Sequence, residues 1–273
     1  MAIPLRSPVL SLSLAALVFL GSASSSRFPK PASARQNSTA SELTVHEWGT
    51  FTSIADRSGF AVRWHPRSGP RDLPNFVEYF ANAGFKSRLA GTVRMETPVL
   101  YFYSPSETTV SVSVRFSKGV ITEWYPHASH TNPDAKEVLD ESALFQGGTD
   151  GSIAWDSVTV EPGLNADLPR DNSGAHYYAA RETSAAPVVV RTPSGTQQEK
   201  FLFYRGVAAF SVPVIAQALA DGQVIVRNPG EDEIAAAILF ERRGDLLGYR
   251  LVKNVRVCQN MERKMSMNSI PRN

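Results

Sequence analysis

The chain is poor in cysteine and lacks the motifs of the common cofactor-binding and hydrolytic enzymes. Its 273 residues contain a single cysteine, Cys258, so no intrachain disulfide can form and packing must hold the fold together. Small exported domains usually depend on disulfides, so the single cysteine excludes a disulfide-rich module. The sequence has no G-x-S-x-G, Walker, G-x-G-x-x-G or H-E-x-x-H motif. Common cofactor chemistry is therefore unsupported, and no cofactor is predicted.

An apolar run of membrane-spanning length is also missing from the start of the chain. Residues 9–20 are mostly apolar but fall short of the about 20 residues that cross a bilayer. With Arg6 before them and Gly21-Ser22-Ala23 after them, they have the pattern of an export signal cleaved after Ala23. No cysteine lies near this cut or near a second small-residue site at Ala32-Ser33-Ala34, which excludes a diacylglyceryl anchor. We therefore predict a signal peptide at residues 1–23 and a periplasmic or extracellular protein with no transmembrane segment after its removal.

A strong charge of either sign is absent from the body of the chain. The net charge is +2 and the isoelectric point about 8.7. Residues 253–273 hold five basic residues and one acidic residue, a net charge of +4, and the leader adds +1, so residues 24–252 carry −3. Such a body offers no basic face to a phosphate backbone, and nucleic acid is not predicted as a partner.

Composition divides the chain after the leader into three parts. Residues 24–43 are rich in Ser, Pro, Ala, Asn and Thr, which predicts a disordered linker. Residues 44–252 are numerous enough for one large all-β domain, since such domains reach about 200–250 residues. Residues 253–273 contain three of the five methionines and have neither helical nor strand periodicity. They are predicted to be a disordered basic tail or the product of a truncated or shifted reading frame.

Period-two alternation predicts that the body is built from β-strands. In residues 109–116, Val110, Val112, Val114 and Phe116 alternate with polar residues, which places them together on one face of a strand. Further strands are predicted at residues 44–54, 60–64, 92–103, 153–160, 177–182, 187–191 and 200–204. The predicted fold is an antiparallel β-sandwich or jelly-roll-like fold with one or two short helices.

Glycine-containing turns predict chain reversals between the strands. Lys118-Gly119 predicts a tight hairpin between residues 109–116 and 120–125, and similar turns occur at Asp150-Gly151, Asp221-Gly222 and Gly244-Asp245. Residues 214–219 could instead form a short helix after Pro213. Other helices are predicted from Asp72 to Gly84 and at residues 134–145, where a surface excursion is the alternative.

Several predicted strands place a glutamate beside an aromatic residue or an arginine. A carboxylate within an apolar strand is costly to bury unless it is paired. These positions give a candidate polar and aromatic cluster of His46, Glu47, Trp48, Glu96, Glu123, Trp124, Tyr178, Arg181 and Glu182.

Three interpretations of this cluster remain open. Its members could be the water-facing positions of half-buried strands, paired across the sheet. They could form a groove in which aromatic faces stack on sugar rings and polar groups bind hydroxyls. Two of the carboxylates could also act as general acid and base on a glycosidic bond, which requires a separation of about 5–10 Å. Metal binding has little support, because His127 and His130 lie in a predicted loop and zinc needs three or four converging ligands.

The same segments carry a resemblance to a known family. They read VHEWGTFTS at 45–53, GTVRMETPVLYFY at 91–103, ITEWYP at 121–126, YYAARET at 177–183, EKFLFYRG at 199–206 and LFERRG at 239–244. Over residues 44–252 the chain resembles an uncharacterised family of exported bacterial proteins. The resemblance implies export and brings no activity with it. Its members continue into a helical C-terminal region, so it also implies that this chain departs from the family after about Val252.

The sequence as a whole predicts a non-catalytic envelope or surface protein that binds a glycan or a protein partner. A polysaccharide-directed hydrolase with paired glutamates is the alternative. The sequence leaves the oligomeric state open.

Overall fold

The computed structural model describes residues 10–15, 43–56, 58–66, 72–80, 89–96, 98–134, 150–212, 214–219, 223–231, 233–243, 246–255 and 263–266. These residues contain one 3₁₀ helix, His176–Arg181. The strands, in chain order, are β1 (Leu10–Ala15), β2 (Thr44–Trp48), β3 (Phe51–Ser53), β4 (Glu78–Tyr79), β5 (Val93–Met95), β6 (Val99–Tyr103), β7 (Thr108–Phe116), β8 (Gly119–Tyr125), β9 (His130–Asn132), β10 (Gly151–Val160), β11 (Val188–Thr192), β12 (Gly195–Glu199), β13 (Leu202–Ala208), β14 (Ile215–Ala218), β15 (Gln223–Arg227), β16 (Ile234–Arg243), β17 (Leu246–Val255) and β18 (Arg263–Ser266).

The predicted all-β, sandwich-like fold is confirmed. One sheet has the order β1-β7-β10-β11-β12, with β9 paired to β10. A seven-stranded sheet has the order β2-β6-β13-β5-β3, with β8 paired to both β13 and β4. The pairs at the centre of both sheets, β7–β10 and β8–β13, are antiparallel. Strand β1, which falls within the predicted leader, runs parallel to β7 in the uncleaved chain.

The described residues fall into two compact units. The first includes Ser26–Thr52 and Trp64–Phe210 and contains both of these sheets, apart from Ser53 at the end of β3. The second includes Ser53–Arg63 and Ser211–Asn273. It contains a sheet of order β14-β15-β18 and a two-stranded ribbon, β16-β17. The domain limit predicted at Val252 lies inside β17, and most of the predicted linker and tail lies outside the described residues.

The core of the first unit follows the predicted alternation. Val110, Val112, Val114 and Phe116 of β7 are buried, whereas the alternate positions of this strand are half-buried or exposed. Strands β8 and β13 are different, because every residue in both is buried. The central strands of the seven-stranded sheet are therefore covered on both faces.

Two of the predicted hairpins are confirmed, and one is wrong. Strand β14 pairs with β15, and β16 pairs with β17, both antiparallel as predicted, so the alternative helix at 214–219 does not form. The turn at Lys118-Gly119 instead carries the chain from one sheet to the other, since β7 pairs with β10 while β8 pairs with β13. Lys118 has a positive φ of 54° at this turn.

Two local predictions are also corrected. Residues 72–80 form turns and the short strand β4 rather than a helix. Residues predicted as a strand at 177–182 instead form the 3₁₀ helix, which turns the tyrosines of this segment toward the seven-stranded sheet. The second predicted helix, at 134–145, lies almost wholly outside the described residues.

Candidate functional site

One face of the seven-stranded sheet carries both ionic and aromatic side chains. Phe203 and Arg205 lie two residues apart on β13 and therefore share a face. Their partners across the antiparallel pair are Tyr125 and Glu123 of β8. Register places all four on the same face, which we call the polar face of the sheet.

An ionic cluster occupies one part of the polar face. The Arg205 guanidinium donates to both carboxylate oxygens of Asp72, at 3.0 and 2.8 Å, and to Oε1 of Glu123 at 3.1 Å. The side chains of Arg205 and Glu123 are 3% and 1% exposed. Thr122 also donates its hydroxyl to Glu123. Glu123 is thus held by two donors and closed to a substrate.

The ionic cluster extends through Asp72 to the neighbouring strand. Arg94 donates to Asp72 at 3.1 Å and contacts Oε2 of Glu96 at 2.9 Å, while Thr52 donates to Oε1 of Glu96 at 3.0 Å. Partial burial would raise the pKa of Asp72, but hydrogen bonds from Arg205 and the charges of both arginines lower this pKa to about 2. The cluster is therefore an ionised network that ties the 72–77 segment to the sheet.

A second buried ion pair lies between the 3₁₀ helix and β12. Arg181 donates to the Glu199 carboxylate through Nε at 2.9 Å and Nη2 at 2.6 Å, and the Tyr177 hydroxyl donates to the same group at 3.0 Å. The guanidinium also lies over the rings of Tyr178, Tyr177 and Phe76 at 5.1 to 5.8 Å. Burial and the negative charge of Glu199 raise the pKa of Tyr177 well above its ordinary value. This arrangement fixes the 3₁₀ helix to the end of β12.

An aromatic cleft opens beside the 3₁₀ helix. Trp48, at the end of strand β2, is 69% exposed and pairs with Val99 of β6. The cleft has a volume of about 330 Å³. Its lining residues, which define the Trp48 cleft, are Trp48, Val99, Tyr101, His176, Tyr177, Ala179, Ala180, Phe201 and Phe203. A bond of 2.8 Å from the Tyr101 hydroxyl to the carbonyl of Ala180 holds the helix against the strand and keeps the cleft walls together.

A second cleft, of about 750 Å³, contains a carboxylate paired with an imidazole. Glu78 of β4 accepts a bond of 3.0 Å from the indole N–H of Trp124. Nδ1 of His127 lies 2.9 and 3.0 Å from the two oxygens of the same carboxylate. The lining residues, which define the Glu78 cleft, are Asn75, Phe76, Val77, Glu78, Tyr79, Trp124, His127, Ala128, Ser129, His130, Thr131 and Asp134.

The structure distributes the sequence-predicted cluster over several places. Trp48 lines the Trp48 cleft, and Trp124 is buried against Glu78. Exposed His46 shares the Trp48 face of β2, with its ring 5.1 Å from that of Tyr103. The remaining members lie in separate contacts: Glu47 with Tyr204, Glu96 with Arg94, Glu123 with Arg205, Tyr178 with Asp171, Arg181 with Glu199, and Glu182 exposed at the end of the 3₁₀ helix. The four predicted glutamates do not converge on one pocket.

Glu47 is a partly buried carboxylate whose pKa departs from its ordinary value. Burial raises its pKa, although the hydrogen bond from the Tyr204 hydroxyl acts in the opposite direction. It alternates with His46 and Trp48 along β2 and so points to the other face of the sheet.

Sequence reasoning missed Asp72 and Glu78 as site residues. Both lie in the 72–80 segment, which was predicted as a helix, so their partners on β8 and β13 could not be foreseen. Glu199 and Arg205 were visible as charged residues within apolar stretches, a pattern that indicates buried pairing.

The described residues contain no group of three or more His, Cys, Asp or Glu side chains arranged to hold a metal ion. Within the same residues, no helix has the length and apolar character needed to cross a membrane. Comparison of the chain with protein-family models, with curated proteins and with solved structures finds no match in any of the three.

Proposed function

We propose that the protein is an exported, non-catalytic binding protein and that the Trp48 cleft takes a sugar ring of a glycan. The observation that carries the proposal is the position of Trp48, a large aromatic side chain exposed beside a cleft with a buried aromatic floor. Such an indole presents a flat apolar surface to water, and a ligand that covers it gains the free energy of burying that area.

The walls of the Trp48 cleft support a sugar ligand over a purely apolar one. His176 lines the cleft, and His46 lies across from Tyr101 on the neighbouring strand, so polar groups adjoin the aromatic surface. A sugar ring needs both features, because its C–H faces are apolar and its hydroxyls need hydrogen-bond partners. The cleft walls are held by strand pairing and by the Tyr101 hydroxyl, which limits the entropy lost on binding.

Substitution of Trp48 tests this proposal. We expect Trp48→Ala to weaken binding of an oligosaccharide about tenfold or more, because aromatic anchors of this kind contribute over 1 kcal/mol. Binding can be followed by isothermal titration calorimetry, because Trp48→Ala itself removes the exposed indole on which a fluorescence signal would depend. Phe60→Ala is the matched control, because Phe60 is also highly exposed but does not line the cleft. Equal affinity of both variants and the parent protein would remove the Trp48 cleft as the site, and selective binding of peptides would replace the glycan by a protein partner.

Export is tested separately by locating the mature N-terminus. Mass spectrometry of protein recovered from the extracytoplasmic fraction should show a chain that begins at Ser24. A chain that retains Met1 and stays in the cytoplasm would contradict export.

A polysaccharide-directed hydrolase with paired glutamates is favoured by one observation, the raised pKa of Glu47, which suits a general acid. Glu123 is an unsuitable second carboxylate because Arg205 and Thr122 hold it inside the sheet. Hydrolysis of a polysaccharide that Glu47→Gln abolishes would establish this function in place of the first.

A further inference from the structure

The Glu78 cleft contains two hydrogen-bonding side chains, Glu78 and His127, that remain partly accessible to solvent. The side chains of Glu78 and His127 are 31% and 44% exposed, although each is fixed in position. The buried Trp124 indole holds Glu78, and the Gln197 side chain accepts the backbone N–H of His127 at 2.6 Å. These groups are therefore both oriented and accessible, which is the state of a preorganised binding site.

The pairing sets what each group can offer to a ligand. Glu78 accepts at Nδ1 of His127, so the neutral imidazole carries its proton on Nδ1 and leaves Nε2 as an acceptor. Among the described residues Nε2 makes no hydrogen bond. A carboxylate has about four acceptor positions, and Trp124 and His127 do not fill all of them. With the His127 ring neutral, the cleft thus presents two adjacent acceptors suited to hydroxyl donors.

The remaining lining residues supply an aromatic wall and an amide. Tyr79, adjacent to Glu78 on β4, is an exposed aromatic residue that lines the cleft. Asn75 lies on the same lining and is exposed, so its side-chain amide offers a donor and an acceptor. Aromatic surface, carboxylate, imidazole and amide in one open cleft are the groups that a polyhydroxylated ring requires.

We propose that the Glu78 cleft is a second glycan subsite that takes a neutral sugar unit, whose hydroxyls donate to Glu78 and to Nε2 of His127 while its ring packs on Tyr79. This inference rests on the proposed function for its ligand class. An anionic sugar is disfavoured because it would bring its charge beside the Glu78 carboxylate. Phe76 forms part of the wall between the two clefts, since it lines the Glu78 cleft and its ring lies 5.6 Å from that of Tyr177 in the Trp48 cleft.

Calorimetric titration of the full chain tests the subsite. The probes are cellotetraose, maltotetraose, xylotetraose and chitotetraose, which are neutral, and tetragalacturonic acid, which is anionic. We expect Glu78→Gln to weaken binding of the best neutral probe about tenfold or more, because the sugar hydroxyls then meet a neutral acceptor in place of a charged one. Tyr79→Ala should weaken binding by a similar factor, because it removes the aromatic surface on which the ring packs. Glu107→Gln, at an exposed position outside both clefts, should bind like the parent protein.

A second readout separates a binding role from a structural one. The imidazole ¹⁵N resonance of Nε2 of His127 should shift when a neutral probe is added, whereas the resonances of His65, which lines neither cleft, should not. Loss of the Glu78–Trp124 bond would disturb the fold, so the far-ultraviolet circular dichroism spectrum and urea midpoint of the variant serve as the check of folding. A Glu78→Gln variant that keeps the spectrum and midpoint of the parent protein but loses calorimetric affinity supports the subsite.

The outcomes distinguish this inference from the proposed function. If Trp48→Ala weakens binding while Glu78→Gln and Tyr79→Ala do not, the Glu78 subsite is overturned and the Trp48 cleft stands. If the Glu78 and Tyr79 variants lose affinity while Trp48→Ala does not, the subsite stands and the Trp48 cleft falls. Stronger binding of tetragalacturonic acid than of every neutral probe overturns the neutral-sugar assignment, and absence of binding by all probes overturns both proposals.

Discussion

Replacement of Glu123 by Gln measures how strongly the ionic cluster stabilises the seven-stranded sheet. Glu123 and Arg205 are 1% and 3% exposed, so their charges are almost fully removed from water. The substitution leaves Arg205 with Asp72, whose side chain is 49% exposed and can still accept two of its bonds. Breaking a buried ion pair from one side costs about 3–5 kcal/mol. Because Asp72 remains as a partner, we expect a loss near the lower limit, about 3 kcal/mol.

The charge-free double variant Glu123→Leu/Arg205→Met provides the comparison. Removing both charges avoids an unpaired buried ion, and such replacements are often neutral or stabilising. We therefore expect the double variant to be more stable than Glu123→Gln, despite its larger chemical change.

Urea unfolding followed by far-ultraviolet circular dichroism is the assay. A loss of about 3 kcal/mol lowers the unfolding midpoint by about 1 M or more at ordinary values of the denaturant slope. Glu107→Gln, an exposed substitution of the same kind, should leave the free energy of unfolding within about 0.5 kcal/mol of the parent value. The reasoning is refuted if Glu123→Gln loses less than about 1 kcal/mol, or if the double variant is less stable than the single one.

Three further predictions concern pH and packing. The pKa of Asp72 is lowered from 3.8 to about 2 in the folded protein, so its contribution to stability is present above about pH 4 and is lost as the pH falls through about 2. Screening at this half-exposed site limits the contribution to about 1 kcal/mol, and in Asp72→Asn the urea midpoint should change less with pH between these two values. Glu47 has a raised pKa in the fold, so it disfavours the folded state once ionised; Glu47→Gln should therefore be at least as stable as the parent at pH 7, and an identical pH profile for the two would contradict this. A Cβ at Gly206 would overlap the backbone carbonyl of Val120, so Gly206→Ala should lower the free energy of unfolding by about 3 kcal/mol in a thermal melt, and an unchanged melting temperature would count against that close approach.

The strands that sequence predicts well are those with one face in the core. Strand β7 alternates because its valines are buried while its serines and threonines are not, and a period of two is visible in one segment alone. Strands β8 and β13 are buried on both faces, so their sequences carry no comparable alternation, and only part of β13 was predicted.

Pairing partners were harder to predict than strands. The turn at Lys118 signals that the chain changes direction, but a change of direction does not say which strand will lie alongside. Here β8 pairs with β13, more than 75 residues further along the chain. The hairpins of β14–β15 and β16–β17 were predictable because in them the nearest strand in sequence is also the partner.

The sequence identifies individual residues of the candidate site but does not show which of them are exposed and which are buried. Trp48 and His46, both members of the predicted cluster, are exposed on one face of β2, but nothing in the local sequence distinguishes exposed Trp48 from buried Trp124. The ionic cluster draws Asp72, Glu123 and Arg205 from three distant segments, and their convergence depends on strand order. Contacts between segments this far apart cannot be predicted from the pattern of a short stretch of sequence.

Strand β13 also imposes a sequence of events on synthesis. It lies with β8 along one edge and with β6 and β5 along the other, all of which precede it in the chain. Until the ribosome has synthesised Leu202 and the residues after it, β5, β6 and β8 lack the strand that lies between them, and their backbone groups on that side have no hydrogen-bond partner. Pairing between strands that are far apart in sequence slows folding and prolongs the time for which unpaired strand edges are exposed. The seven-stranded sheet therefore cannot be completed until residues 202–208 have been synthesised.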